Sequence, residues 1–290
     1  MKRRFRLLCS LTTVIAVFTC CISIWAYAAE SSGTIEVRSI NHRGYNTDAP
    51  ENTLPAYELS KEKGFDYVET DISFTKDLVP VLLHDSSINR TARYPDGKEL
   101  ESEIEINDIT YEEALQYDFG IWKNETYAGT KLPTFESFLD LCKDIGLHPY
   151  IELKQNGEYT QDLINGLVDM VEAKEMSGDV TWISFNPEYL GWVRDMDPNA
   201  RLGVLTTWVI PDFINASIET AKALKTDSNH VFLDIDIISA DSPDGIRMCR
   251  EAGIPLEVYC FEEDDEDAMK ALDPYVSGLT SNQIRFEDIR

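Results

Sequence analysis

The chain has 290 residues, 43% apolar and 27% charged, enough for one large domain or two small ones whose core needs no disulfide or structural metal. Its 15 Gly and 12 Pro are scattered, which excludes collagen-like, low-complexity and disordered classes. With 26 basic against 52 acidic residues the net charge is −26, and no Lys or Arg run follows the first six residues, which argues against a nucleic-acid surface or a polyanionic lipid partner.

Residues 1–29 read as an export segment. Lys2, Arg3, Arg4 and Arg6 precede a 19-residue uncharged run, Leu7 to Trp25, and Ala26-Tyr27-Ala28 offers a small-x-small cleavage site. The segment is expected to be a secretory signal peptide, with an uncleaved N-terminal anchor as the alternative. Either way residues 30–290 are expected outside the cytoplasm, secreted or at the cell surface or periplasm. Of six Cys, only Cys142, Cys249 and Cys260 remain after this segment. Their odd number and wide spacing fit buried apolar residues rather than a disulfide framework or zinc site.

From Ile35 onward, β-branched runs alternate with amphipathic stretches. Strands are expected at Glu36–Ile40, Tyr67–Ile72, Pro80–His84, Pro149–Leu153, Val180–Phe185, Leu202–Thr206, Val231–Ile235 and Leu256–Phe261, with a further candidate at Val276–Thr280. Helices are expected at Leu54–Lys63, Thr134–Ile145, Gln161–Lys174, Pro187–Met196, Asp212–Leu224, Pro243–Ala252 and Asp265–Leu272. The alternation argues for an α/β (β/α)8 TIM barrel in one domain over residues 30–290. Nine strands are one too many, and Asp71 to Pro80 leaves no room for a crossover helix. Residues 86–131 form a long insertion after the third strand.

Four polar segments fall at predicted strand ends: Asn41-His42-Arg43-Gly44, Glu69-Thr70-Asp71, Leu83-His84-Asp85 and Ile151-Glu152-Leu153-Lys154. The C-terminal strand ends are where a barrel builds its active site. Two-residue spacing sends Glu69 and Asp71 to one side of a strand, and Glu152 and Lys154 to one side of another. Converging carboxylates make an oxygen-only site suited to a divalent cation, Mg²⁺ or Ca²⁺. His42 and His84 are the proton-transfer candidates. Arg43 and Lys154 supply fixed positive charge for a phosphate. His148 and His230 begin predicted strands and are expected to be structural or surface residues. Glu51 and Asn52 suit either support of the metal site or helix capping, and Asp85 suits orientation of its neighbours. The run Glu262 to Asp267 lacks the glycine and spacing of a calcium loop and suits a solvated helix start. Phe185, Trp208, Tyr259 and Phe261 fall near late strand ends, where they suit a pocket wall or the core.

These segments, with Pro50-Glu51-Asn52-Thr53, Ala56, Gly64, Thr75-Lys76-Asp77, Arg90-Thr91, Tyr127-Ala128-Gly129 and Leu132-Pro133-Thr134-Phe135, resemble the glycerophosphodiester phosphodiesterase family. The likeness is close from residue 40 to 154 and looser beyond, where Tyr259-Cys260 and Thr280-Ser281-Asn282 stand in place of a Trp-Thr pair and a Thr-Asp-x-Pro ending. The resemblance implies that Glu69, Asp71 and Glu152 hold one divalent cation and that Arg43 and Lys154 neutralise the developing charge. His42 and His84 would be acid and base, with sn-glycerol 3-phosphate and an alcohol as products. The implied partner is a small glycerophosphodiester, with membrane contact only through an uncleaved anchor. The rival readings are a phospholipase D-like lyase that releases a cyclic phosphate and a non-catalytic glycerophosphodiester-binding protein.

The site residues sum to −1 (Glu69, Asp71 and Glu152 against Arg43 and Lys154), and a divalent cation makes this +1. Loss of residues 1–29 removes four basic residues and takes the remainder to −30. An anionic substrate then approaches a repelling surface with a small attractive spot. Raising ionic strength at saturating metal is therefore expected to leave kcat/KM for glycerophosphodiesters unchanged or improved, and a steep fall would show that the site's own field dominates.

Overall fold

The computed structural model describes residues 37–154, 159–207, 211–236, 243–260 and 266–289. Residues 1–29, Trp208, Phe261 and positions 262–265 of the acidic run lie outside these. The strands are β1 (Arg38–Asn41), β2 (Tyr67–Phe74), β3 (Pro80–Leu82), β4 (His148–Leu153), β5 (Thr181–Ser184), β6 (Arg201–Thr206), β7 (His230–Asp236), β8 (Leu256–Tyr259) and β9 (Val276–Ser281). The helices are α1 (Leu54–Glu62), α2 (Tyr111–Ala114), α3 (Phe135–Ile145), α4 (Gln161–Ala173), α5 (Pro187–Met196), α6 (Pro211–Leu224), α7 (Pro243–Ala252), α8 (Glu266–Lys270) and α9 (Phe286–Ile289). No helix among the described residues is long and apolar enough to cross a membrane.

Eight strands pair in parallel, and β1 pairs with both β2 and β9, closing a barrel. The surplus strand is β3. It runs antiparallel to β2, with Ile72 opposite Leu82 and Phe74 opposite Pro80. The Asp71–Pro80 connection is therefore a hairpin rising from the mouth, in which the Thr75 hydroxyl accepts from Val79 N–H at 3.0 Å and Leu78 takes a positive φ of 62°. This corrects one expectation: His84 follows a strand that descends to the mouth, not the upper end of a barrel strand. Leu83 N–H donates to Asp71 O at 3.1 Å, which delivers His84 beside Asp71 all the same.

Alternation along the strands sets two apolar compartments. On β2, Val68 and Ile72 join the core between strands and helices, while Tyr67 packs inside the barrel with Ile40, Tyr150, Ile183, Leu205 and Phe232. Cys142, Cys249 and Cys260 are buried free thiols. The floor is ionic: buried Glu257 pairs with Arg201 and, at 3.6 Å, with Arg38, and accepts the Tyr150 hydroxyl at 3.1 Å. His148 and His230 open β4 and β7, at the end of the barrel away from the site residues; His148 stacks on Tyr67 and faces Asp179 at 3.4 Å.

The segment between β3 and α3 has its own apolar cluster, including Ile88, Ala92, Ile106, Ala114, Phe119 and Leu132. Asp118 organises it, accepting from the backbone N–H groups of Gly120 and Ile121 at 2.8 and 2.9 Å and of Gly129 at 2.5 Å.

Inside the barrel, a Cβ on Gly203 would lie 2.5 Å from the Phe232 ring and 2.8 Å from Ile183, whereas one on Gly166 in α4 meets nothing within 4 Å. Gly203→Ala is expected to destabilise by roughly 1–3 kcal/mol through overpacking, and Gly166→Ala to stabilise by up to about 1 kcal/mol. Urea unfolding of the two variants checks the contrast; equal midpoints would contradict the packing described.

Candidate active site

Glu69 and Asp71 project from β2 and Glu152 from β4, with Asp71 opposite Glu152 in the parallel register. One oxygen of each carboxylate lies within 4.8 Å of the others. Burial is severe: Asp71 is 0% exposed and Glu69 2%. Glu69 Oε1, Asp71 Oδ1 and Glu152 Oε1 are buried without a hydrogen bond of ordinary geometry. Two of these three oxygens face the Lys154 ammonium, at 3.3 Å from Asp71 and 3.0 Å from Glu152.

Arg43 brings the second cation, its Nε 3.1 Å from Asp71 Oδ2, while its backbone N–H donates to Glu69 Oε2 at 3.0 Å. The second contact requires an unusual backbone, for Arg43 has φ 54° and the following Gly44 φ 77°. A Cβ on Gly44 would meet Ala56 Cβ at 2.7 Å, so both small residues of the motif serve this close approach. Asn52, also at positive φ, donates from Nδ2 to Asp71 Oδ2 at 2.8 Å. Glu51 receives Arg43 at 3.1 Å. Both residues therefore contact the site, and the N-cap position of α1 is taken by Thr53, whose hydroxyl donates to Pro50 O at 2.6 Å instead of capping the helix.

Charge sets the protonation pattern. Burial alone would raise the Asp71 carboxyl, but Arg43 and Lys154 overrule it and hold it well below the usual carboxylate range. Glu69 is pushed the other way, by burial and then by its neighbours Asp71 and Glu152. Glu152 is also raised by burial, with Lys154 opposing. Three buried carboxylates thus share two cations, and the arrangement lacks positive charge. Three crowded buried carboxylates, an all-oxygen donor set and a net negative sum fit a bound metal cation.

The two histidines differ in their partners. His42 Nδ1 lies 3.0 Å from Asn282 Oδ1, which also accepts from Asn46 Nδ2 at 2.7 Å. The amide oxygen fixes the Nδ1–H tautomer and leaves Nε2 with its lone pair. Burial, then Arg43, pushes the ring down to about 4, so the 4.0 Å approach of Nε2 to Glu69 is not an ion pair. His84 Nδ1 instead meets a carboxylate, Asp85 Oδ1, at 2.6 Å.

Arg90, from the insertion, joins the two halves. It gives Nε to Asp85 at 2.6 Å and a bidentate pair to Glu51 at 2.6 and 2.9 Å. Lys123, also from the insertion, donates to the carbonyl of Asn46 at 2.6 Å. His42, Arg43, Glu69, His84, Asp85, Arg90, Glu152 and Lys154 border a cavity of about 360 Å³ whose far side is lined by Ile183, Phe185, Leu205, Asp234, Tyr259 and Thr280. Every predicted site residue is in this one place, except that Asp71 lies beneath the cavity surface. Sequence reasoning gave no role to Asn46, Arg90 or Asp234. Only Asp234 carried a usable signal, an acid inside the apolar run Val231–Ile235 on an inward position.

The profile of the Glycerophosphoryl diester phosphodiesterase family matches residues 42–285. The chain belongs to this family. A glycerophosphodiester phosphodiesterase of Caldanaerobacter subterraneus subsp. tengcongensis is 31% identical over 80% of this chain and 89% of its own length. One from Bacillus subtilis is 25% identical over 93% and 94%. In fold, the chain is similar to an Oleispira antarctica phosphodiesterase solved with its product sn-glycerol-3-phosphate, with TM-score 0.70 and 23% identity over 87% of this chain and 94% of that one. The glycerophosphodiester phosphodiesterase of Agrobacterium tumefaciens gives TM-score 0.67 at 23% identity, covering 87% and 98%.

The Arg90 bridge makes a specific demand. Arg90→Ala frees Asp85 and Glu51 and is expected to lower kcat/KM for a glycerophosphodiester about tenfold or more. Half-exposed ion pairs contribute little stability, so the melting point should move by less than the equivalent of about 1 kcal/mol. Arg90→Lys should not rescue activity, because one ammonium cannot span both carboxylates. Full activity in either variant would remove Arg90 from the site.

Proposed function

We propose that the chain is an exported, metal-dependent phosphodiesterase that hydrolyses glycerophosphodiesters to sn-glycerol 3-phosphate and an alcohol by histidine acid–base catalysis. The observation that carries this reading is the set of three converging buried carboxylates, flanked by two histidines and two cations, at the mouth of this family's barrel. The names of the bacterial relatives and the product bound in the Oleispira enzyme support the substrate class. The basic start and uncharged run of residues 1–29 support export.

Glu69, Asp71 and Glu152 would hold Mg²⁺ or Ca²⁺, which would supply positive charge to a phosphate oxygen and acidify a hydroxyl. Arg43 and Lys154 bind the phosphate anion and stabilise the charge that grows on it. His42, held by a neutral amide with Nε2 unprotonated, suits removal of the proton from the attacking glycerol 2-hydroxyl. His84 is held through Nδ1 by the Asp85 carboxylate, which orients the ring with Nε2 free to serve the departing alcohol oxygen. The P–O bond to that alcohol breaks as the bond to the 2-oxygen forms. Hydrolysis of the cyclic phosphate then runs with the two histidines exchanging roles.

Purified protein is expected to release sn-glycerol 3-phosphate from glycerophosphocholine, to lose this activity in EDTA and to recover it with Mg²⁺ or Ca²⁺. His42→Ala and His84→Ala should each lower kcat about 10²–10⁴-fold. Phosphorus NMR of the products decides between routes. Cyclic phosphate as the sole end product would make the enzyme a lyase, substrate binding without turnover would make it a binding protein, and full activity in EDTA would refute the metal.

A further inference from the structure

Asp234 takes no part in the chemistry above, yet its position is costly. It lies in the middle of β7, opposite Leu205 of β6 and Glu257 of β8, and its side chain points into the barrel. It is 1% exposed, borders the cavity, and its Oδ1 has no hydrogen-bond partner. A fully buried carboxyl with an unsatisfied oxygen destabilises a fold, so its place needs a reason other than stability.

The cavity around it has two unlike ends. The phosphate end carries Arg43, Lys154 and Arg90, and its rim groups reach solvent: the His84 and Arg90 side chains are 32% and 44% exposed. The opposite end is walled by the buried side chains of Ile183 and Leu205, 3% and 7% exposed, and by the edge-to-face pair Phe185–Tyr259, with Asp234 the one carboxyl lining it among the described residues. The Tyr259 hydroxyl is turned to Thr206 O at 3.3 Å, which presents the ring rather than the hydroxyl to the cavity. Apolar walls with few hydrogen-bonding groups, Asp234 and Thr280, suit the C–H edges and terminal hydroxyl of a short polyol. A variable alcohol needs the open rim.

We propose that Asp234 is a specificity residue that hydrogen-bonds the terminal hydroxyl of the substrate's glycerol half, so that the barrel selects glycerol-bearing phosphodiesters. The assignment rests on the phosphodiesterase reading, which it deepens. Burial, followed by the charges of Glu257 and Glu152, drives the Asp234 carboxyl well above its ordinary range. A neutral carboxylic acid both donates to and accepts from a hydroxyl, whereas an alkylammonium head group would call for the ionised form.

The test uses the full chain with Asp234→Asn, which keeps an uncharged donor and acceptor, and Asp234→Leu, which keeps only volume. Substrates are glycerophosphocholine, glycerophosphoethanolamine and the phosphocholine diester of propane-1,2-diol, which retains the attacking hydroxyl but lacks the terminal one. Wild type is expected to disfavour the deoxy diester by roughly 10- to 100-fold in kcat/KM, chiefly through KM. Asp234→Leu should lose that discrimination on both head groups while melting no lower than wild type, and Asp234→Asn should retain most of it. Unchanged discrimination in Asp234→Leu overturns the proposal. So does a loss in Asp234→Asn that is equal for the glycerol and the propane-1,2-diol esters, which would mark an ammonium site. Calorimetric binding of sn-glycerol 3-phosphate against its deoxy analogue repeats the comparison without turnover. No turnover with intact selectivity refutes the phosphodiesterase reading alone; turnover without selectivity refutes Asp234 alone.

Discussion

Asp71 carries a negative charge where the barrel leaves it no contact with water, and three segments converge to hold it. Arg43 arrives from the turn after β1, Asn52 from the residues before α1, and Lys154 from the end of β4. A buried carboxylate stripped of such partners costs roughly 3–5 kcal/mol, so the fold itself fixes these groups. Two of them are the cations available to a phosphate. Under the proposed function, stability and phosphate binding would draw on the same contacts, which gives positive-φ strain at Arg43 and Asn52 a reason.

Around that charge the balance is deliberately short of positive groups. Arg43 and Lys154 hold the Asp71 carboxyl down, whereas those of Glu69 and Glu152 are raised by burial and by their acidic neighbours. Such a cluster settles only with further positive charge, either protons or a cation, and cation binding must then release protons. Farther down, Glu257 is matched by Arg38 and Arg201, so the floor is electrically closed while the mouth is not. That contrast separates the part of the barrel that supports from the part that reacts.

Much of this was legible in the chain. Period-two spacing put Glu69 with Asp71 and Glu152 with Lys154, and helix signals such as the Thr134 cap over Ser137 marked α3 within a residue. The β2–β3 hairpin was not legible as such. A short strand reads alike in either direction, and only the missing helix hinted that Pro80–Leu82 stands outside the parallel set. The partners of the histidines were equally hidden. Asn282 lies 240 residues from His42, and no local pattern reports a contact across that distance. Arg90 and Lys123 were invisible as braces because their targets, Glu51, Asp85 and Asn46, become neighbours only when the insertion packs onto the mouth.

The contact between His42 and Asn282 also orders events in time. It joins the turn after the first strand to the residue just past the last, across the β1–β9 seam that closes the barrel. Contacts this distant in sequence form late, since the loop must be closed before they can hold. A chain lacking only its final strand would have every predicted metal ligand and cation yet leave His42 free to rotate. Return of catalytic activity during refolding would thus follow seam closure and lag behind the recovery of helical signal.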